Sequence, residues 1–321
     1  MAHIGAIEEL ESRGYQISSI AGCSIGSLVG GIYAAGKINE ARDWFSSLDK
    51  RDILSLTDFS FGLSHLVKGD RVLQAIQEWV PDQNIEDLPI PCAFVATDFI
   101  HSEEVVFRSG SLFTAIRASI SIPMCFEPLE YNDTLLVDGG LVNPLPLNQI
   151  ARTEGDILAA VNISGRSEIE PAWLLPSSPA VFEKMGRLGS QAEKLWNKVA
   201  DDLEETKLTR NINYLNMVNR TFDLQLQANC RTMIAMTKPD ILAEMAQDAY
   251  TTFDFDKAAE IMDRGRELMA QQLDIYEHSI CDQYKDYQLI ILIIYGKKST
   301  RAFCTLPYRS SSHWRCSYRP L

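Results

Sequence analysis

The chain opens on a helical stripe. Ile4, Ile7 and Leu10 recur at three-residue spacing, which puts them on one face of a helix that begins almost at residue 1 and that Gly14 would close. Tyr15 to Ala21 reads as a short buried strand and runs into Gly22-Cys23-Ser24-Ile25-Gly26-Ser27-Leu28-Val29-Gly30-Gly31, after which Ile32 to Ala35 continues as helix. The predicted order is helix, strand, sharp glycine turn, helix. Further apolar or β-branched runs at Cys92 to Thr97, Val105 to Phe107, Leu135 to Val137 and Ile157 to Ile163 are bounded by Gly, Pro, Asp or Asn and read as strands. Strands alternating with helical segments predict an α/β protein with a largely parallel sheet covered on both faces.

From Val181 the period lengthens. Phe182, Met185, Leu188, Ala192, Leu195, Trp196, Val199 and Leu203 mark the stripe of one long helix, and Ile212, Leu215, Val218 and Phe222 that of a second. Both are expected to pack on the sheet. The Pro/Ser-rich stretch from Pro171 to Pro179 before them reads as a connector. Asp256 is placed to cap a last long helix reaching about Tyr276, with Ile261, Leu268 and Leu273 on its buried side.

Charge separates the end of the chain from the rest. The 321 residues carry a net −13, yet from Lys285 onward there are seven Lys/Arg and one acid, leaving the first 284 residues at −19. This basic stretch belongs to an atypical tail over 278–321, set apart from a domain over 1–277 that is helical from about 180. The tail suits a peripheral membrane attachment or a non-native terminus, and no function is assigned to it. Its apolar run Leu289 to Tyr295 is far short of the ~18–20 residues of a membrane-spanning helix, and no basic segment followed by an apolar one marks a signal peptide at the N-terminus.

An acidic balance, with a pI near 4.9, repels phosphate backbones and excludes a nucleic-acid partner. Seven scattered cysteines without C-x-x-C pairs or zinc spacing predict reduced thiols in a cytoplasmic protein. No cofactor and no metal is expected, since no calcium-loop spacing is present either. Oligomeric state is left open.

The chemistry concentrates at two glycine turns. Gly22-Cys23-Ser24-Ile25-Gly26 fits G-x-S-x-G with a strand before it and a helix after it, the setting of a nucleophile elbow. Gly22 and Gly26 are expected to permit a turn in which a Cβ would clash. Ser24 then projects at a helix N-terminus, where the Ile25 N–H would be one oxyanion donor. A serine hydroxyl needs a base. His3 lies in the first helical turn, His65 and His101 in polar loop-like stretches, His278 after the final helix and His313 in the tail. The better candidate is Asp138, which ends the run Thr134-Leu135-Leu136-Val137 and is followed by Gly139-Gly140, so that its carboxylate would project into the crevice at the strand's end. A Ser24-His278 hydrolase is the competing assignment, with a helical context against it.

These motifs, together with Ala2-His3-Ile4-Gly5-Ala6-Ile7-Glu8-Glu9-Leu10 and Ala118-Ser119-Ile120-Ser121-Ile122-Pro123 followed by Phe126 and Pro128, resemble the patatin-like phospholipases of bacteria. The resemblance is direct over about 2–165 and weaker to about 276. It implies a three-layer α/β/α fold, a Ser24-Asp138 dyad, and metal-free hydrolysis of lipid acyl esters, with a lipid or other acyl ester as partner. Family members carry a strand and a G-G-G-x-R-G oxyanion loop just before the segment resembling Ala2-His3-Ile4-Gly5. With the sequence starting at Met1, that first strand and loop are expected to be missing and the activity impaired. The alternative expectation is a non-catalytic lipid-binding or regulatory protein, and an acyltransferase is a variant of the same serine chemistry.

Overall fold

A computed structural model describes residues 1–56, 65–67, 70–166, 214–250 and 254–284. The elements in chain order are α1 (Ala2–Ser12), β1 (Ile20–Cys23), α2 (Ile25–Ala34), α3 (Ile38–Ser47), α4 (Lys50–Leu56), β2 (His65–Val67), α5 (Asp70–Gln77), β3 (Cys92–Asp98), β4 (Glu103–Phe107) and α6 (Leu112–Ser119). After them come β5 (Met124–Phe126), β6 (Leu129–Tyr131), β7 (Thr134–Asp138), β8 (Ala159–Gly165), α7 (Tyr214–Thr237), β9 (Ile241–Ala246) and α8 (Ala258–Tyr284). One compact unit spans Met1–Asp274 and a second Ile275–Leu321, of which the described part is the end of α8.

The fold is mixed α/β, with helices around a central sheet of order β1-β3-β7-β6 to which β4 is added through β3. Within that sheet only β1 and β3 run parallel, while β3–β4, β3–β7 and β6–β7 are antiparallel. This corrects the expectation of a largely parallel sheet. Short turns join β3 to β4 and β6 to β7, and a short connection can only return the chain antiparallel. Both carry residues with positive φ that mark them as turns: Ser102 at 61°, Asn132 at 47° and Asp133 at 62°. Parallel pairing recurs in the separate β8–β9 ribbon, where Ala159 faces Ile241.

Other boundaries also moved. The first strand is Ile20–Cys23 rather than Tyr15 to Ala21, and the second predicted long helix is α7, which runs on to Thr237. Asp256 lies inside a 3₁₀ turn, Phe255–Lys257, ahead of α8, and α8 continues through His278 to Tyr284. The Pro171 to Pro179 connector, the stripe from Val181 to Leu203 and the tail from Lys285 lie outside the described residues.

The core forms where β3 is sandwiched. Cys92 to Asp98 are all buried, and Phe94 packs in one cluster with Ile4 of α1, Ile32 of α2, Leu112 and Ile116 of α6 and Leu136 of β7. Burying such side chains stabilises the fold by roughly 1.5–3 kcal/mol each. α1 is pressed onto α8 with almost no side chain between them: a Cβ on Gly5 would lie 1.8 Å from the Met262 carbonyl oxygen, and one on Gly265 2.0 Å from that of Ala2. This fixes the entrance of the chain against the last helix. The next two elements, β1 and α2, then present the serine turn.

Candidate active site

The register of the sheet brings the two glycine turns together. Cys23 at the end of β1 is level with Val95, and Asp138 at the end of β7 is level with Ala96 on the same edge of β3, the opposite edge being taken by β4. The two strand ends therefore meet one register position apart along β3, a rise of roughly 3.3 Å, which sets the serine turn against the aspartate turn.

Ser24 occupies the N-cap position of α2 with φ 52° and ψ −126°. A non-glycine residue there is strained, as an elbow that thrusts its side chain outward requires. The strain is held by its surroundings. A Cβ on Gly22 would sit 2.5 Å from the Gly26 carbonyl oxygen, so only glycine fits. Gly26 differs from expectation: its Cβ would meet only His3 Nε2, at 3.7 Å, an ordinary contact. The Ser24 N–H donates to Ser119 Oγ at 2.9 Å, Ser119 Oγ donates to the Val95 carbonyl at 2.5 Å, and the Ser27 hydroxyl completes the set at 2.7 Å. With its one proton on Val95, Ser119 accepts from both Ser24 and Ser27, filling a hydroxyl's full capacity. Ile25 is the first residue of α2, so its N–H has no partner within the helix.

Asp138 is almost fully buried. Its Oδ1 accepts from the Gly140 N–H at 2.7 Å and from the Cys23 thiol at 3.7 Å. Oδ2 is buried and accepts no hydrogen bond from the protein. Burial pushes the carboxyl up to about 6, against the opposing pull of the Ser24 side chain, the Gly140 N–H and the Cys23 thiol. The Ser24 side chain thus pulls the carboxyl down, although Oδ2 closes no hydrogen bond of ordinary geometry. Gly139 has no room for a side chain, since its Cβ would lie 2.3 Å from the Val95 carbonyl oxygen. At Gly140 a Cβ would lie 2.8 Å from Leu226 of α7 and 3.0 Å from Asp138 Oδ1, so the helix is packed directly over the carboxylate.

Residues of the sequence reading thus converge here, with partners it did not assign. Ser119 and Ser27 brace the elbow, and Cys23 reaches the carboxylate. Ser119 stood in a quoted motif, without a role. A histidine does stand by the elbow, and it is His3: its Nε2 faces Gly26, its Nδ1 is buried without a partner, and burial pushes the imidazole down to about 3, keeping it neutral. His101 is held by Asp98 instead.

Beside the Asp138 turn, Leu141 and the α7 residues Met217, Val218, Thr221, Phe222 and Gln225 line an open, mainly apolar groove of about 340 Å³. Gln225 and Asn229 donate to the Leu141 carbonyl at 3.2 and 3.3 Å, fixing the turn to the helix.

Comparison with known proteins bears on the same residues. The sequence profile of the family described as patatin-like phospholipase matches residues 1–151. A protein of Mycobacterium tuberculosis described as an uncharacterized NTE family protein is 34% identical over 319 residues, covering 86% of this chain and 88% of its own. Human patatin-like phospholipase domain-containing protein 6 is 28% identical over 272 residues, 82% of this chain and 18% of that protein. Among solved structures, VipD from Legionella pneumophila matches with a TM-score of 0.43 at 14% identity, over 86% of this chain and 64% of that one. With the profile spanning both glycine turns and a relative aligned along most of both chains, this chain belongs to the patatin-like phospholipase family.

Proposed function

We propose that the chain is a serine lipid acyl hydrolase working through a Ser24-Asp138 dyad. One observation carries the reading: a strained serine at the N-terminus of a helix stands beside a buried carboxylate whose pKa of about 6 keeps it ionised, yet basic, at neutral pH. Asp138 takes the proton as Ser24 Oγ attacks the ester carbonyl, and the Ile25 N–H donates to the oxyanion. Collapse of the intermediate expels the alcohol, which receives the proton from Asp138, and leaves an acyl-serine. Water then attacks the acyl-serine, with Asp138 again as the base, releasing the acid and restoring the serine. The groove along Leu141, Met217 and Phe222 suits the acyl chain, because it is apolar and begins three residues beyond Asp138, about 6 Å along a 3₁₀ turn.

The test is hydrolysis of a chromogenic medium-chain ester by the full chain and by Ser24→Ala. Turnover that disappears with the hydroxyl supports the dyad, and turnover that survives refutes it. Lipid binding without any turnover would favour the non-catalytic lipid-binding alternative.

A further inference from the structure

The sheet presents two hairpin turns on the side toward which the nucleophile strand points. β1 runs parallel to β3, so both C-terminal ends share a direction, and β3 continues through Ala96, Thr97 and Asp98 past the level of Cys23. β4 returns from β3 after the turn Phe99–Ser102, and β6 and β7 are joined at Asn132–Asp133. Because β7 is antiparallel to β3, with Asp98 facing Leu136, the two turns lie at the same end of the sheet.

That end carries apolar side chains the fold leaves uncovered. Phe99 and Ile100 are each 58% exposed, and Tyr131 at the neighbouring turn, edge-on to Phe107, is 36% exposed. The turn beneath them is well tethered. Asp98 is nearly buried and accepts from the Ile100 N–H, the His101 N–H and the Thr134 hydroxyl at 2.9, 2.9 and 2.6 Å, while the His101 ring lies 2.8 Å from its other oxygen. The Phe99 N–H is tied to the Leu135 carbonyl at 2.8 Å. A backbone fixed this firmly holds an aromatic and an aliphatic side chain out to solvent, the display that buries itself at the headgroup boundary of a bilayer.

Charge selects the kind of surface. Glu103, Glu130 and Asp133 are exposed around the tips, and His101, the one basic group of the turn among the described residues, is matched by Asp98. Such a rim is repelled by anionic lipid and indifferent to a zwitterionic one. We propose that Phe99 and Ile100 form a docking wedge that inserts into a zwitterionic bilayer and turns the Ser24 end of the sheet toward the lipid. The wedge does not depend on the hydrolase reading, since a lipid binder without turnover would dock by the same surface.

The experiment compares the full chain with a Phe99→Ser/Ile100→Ser double variant by flotation with phosphatidylcholine vesicles, and follows hydrolysis of a water-soluble short-chain ester in parallel. The expected result is phosphatidylcholine-vesicle binding weakened about tenfold or more in the double variant, with short-chain hydrolysis and thermal midpoint unchanged. A Phe99→Trp variant should show emission quenched by brominated phosphatidylcholine beyond that of the parent chain. Equal binding of phosphatidylcholine vesicles by parent and double variant, or no binding by either, would overturn the wedge. So would a parent that is dimeric in solution and becomes monomeric on the double substitution, which would assign the patch to a second copy. Because flotation can be repeated on Ser24→Ala, loss of turnover and loss of docking are read separately.

Discussion

The two glycine turns of the candidate active site are opposite in physics. At Gly22–Gly26 the cost is conformational: Ser24 is held at φ 52°, braced through its N–H by Ser119, and its side chain stands at a helix N-terminus. At Asp138-Gly139-Gly140 the backbone is relaxed, with Asp138 at φ −49° and ψ 133°, and the cost is desolvation of a carboxylate buried beneath α7. One turn presents a side chain outward and the other hides one. A nucleophile must reach its substrate, whereas a weak base gains strength by losing water, so each turn is unfavourable in the way the role proposed for it would require.

The largest effects should come from removing the two groups proposed to react, and there the turns should part in stability. Ser24→Ala and Asp138→Asn are each expected to lower kcat by about 10³-fold or more. Asp138→Asn should also raise stability at neutral pH. The folded carboxyl binds its proton up to about pH 6 and the unfolded one only to about 3.8, so the folded state holds more protons between those values. Stability is therefore lost as pH rises through that window, and the loss is complete above it. A neutral Asn removes a cost of up to about 3 kcal/mol, readable as a higher denaturation midpoint at pH 7.5 whose advantage fades by pH 4. The parent's kcat/KM should fall with a midpoint near pH 6 as Asp138 protonates.

Next in size are the glycines. Gly22→Ala and Gly139→Ala place a Cβ 2.5 and 2.3 Å from backbone carbonyl oxygens, which cannot swing aside, and should each cost about 1–3 kcal/mol by denaturant unfolding, Gly139 the more. Gly26→Ala meets only a histidine ring at 3.7 Å in the first turn of α2 and should be neutral or stabilising by about 0.5 kcal/mol. Equal losses at Gly22 and Gly26 would remove the distinction drawn between them.

How far the sequence revealed these features follows from how local they are. The serine elbow is legible because its requirements lie within one strand, one turn and one helix, and Asp138 because Gly139-Gly140 follows an apolar run. Gly26 was overread, since a motif position does not reveal what its Cβ would touch. The sheet's direction was misread because alternation of elements suggested crossovers. The signal against it was Asn132-Asp133, a pair suited to left-handed turn conformations between two short runs, which folds as a hairpin. The packing of Leu226 over Gly140, like the bond from Ser24 to Ser119, joins residues more than eighty positions apart and leaves no local trace.

Ser119→Ala comes next, because it removes the acceptor for the Ser24 N–H and leaves the buried Val95 carbonyl without that donor. The expected cost is about 1–3 kcal/mol in stability, with a fall in kcat larger than any rise in KM, since the elbow would lose the bond that holds its strained conformation. Ser119→Thr, which keeps the hydroxyl, should recover part of both. If the brace were unimportant to the elbow, kcat would stay at the parent value once stability had been allowed for.

The smallest effect tests the other turn. The Cys23 thiol donates to Asp138 Oδ1 from 3.7 Å, a weak bond to the ionised form, and burial beside that carboxylate pushes the thiol's own pKa up, so that it stays protonated and remains a donor. Cys23→Ala should therefore raise the Asp138 pKa, moving the acid limb of the pH–rate profile upward by less than about one unit, because Gly140 still donates to the same oxygen. Cys23→Ser restores a hydroxyl donor, but a shorter one, and should bring the limb only part of the way back. The plateau rate above that limb should change little in either variant, because the nucleophile and its brace are untouched. An acid limb that did not move in Cys23→Ala would mean that the carboxylate is tuned by burial and the Gly140 N–H alone, and the base would then owe nothing measurable to the elbow beside it.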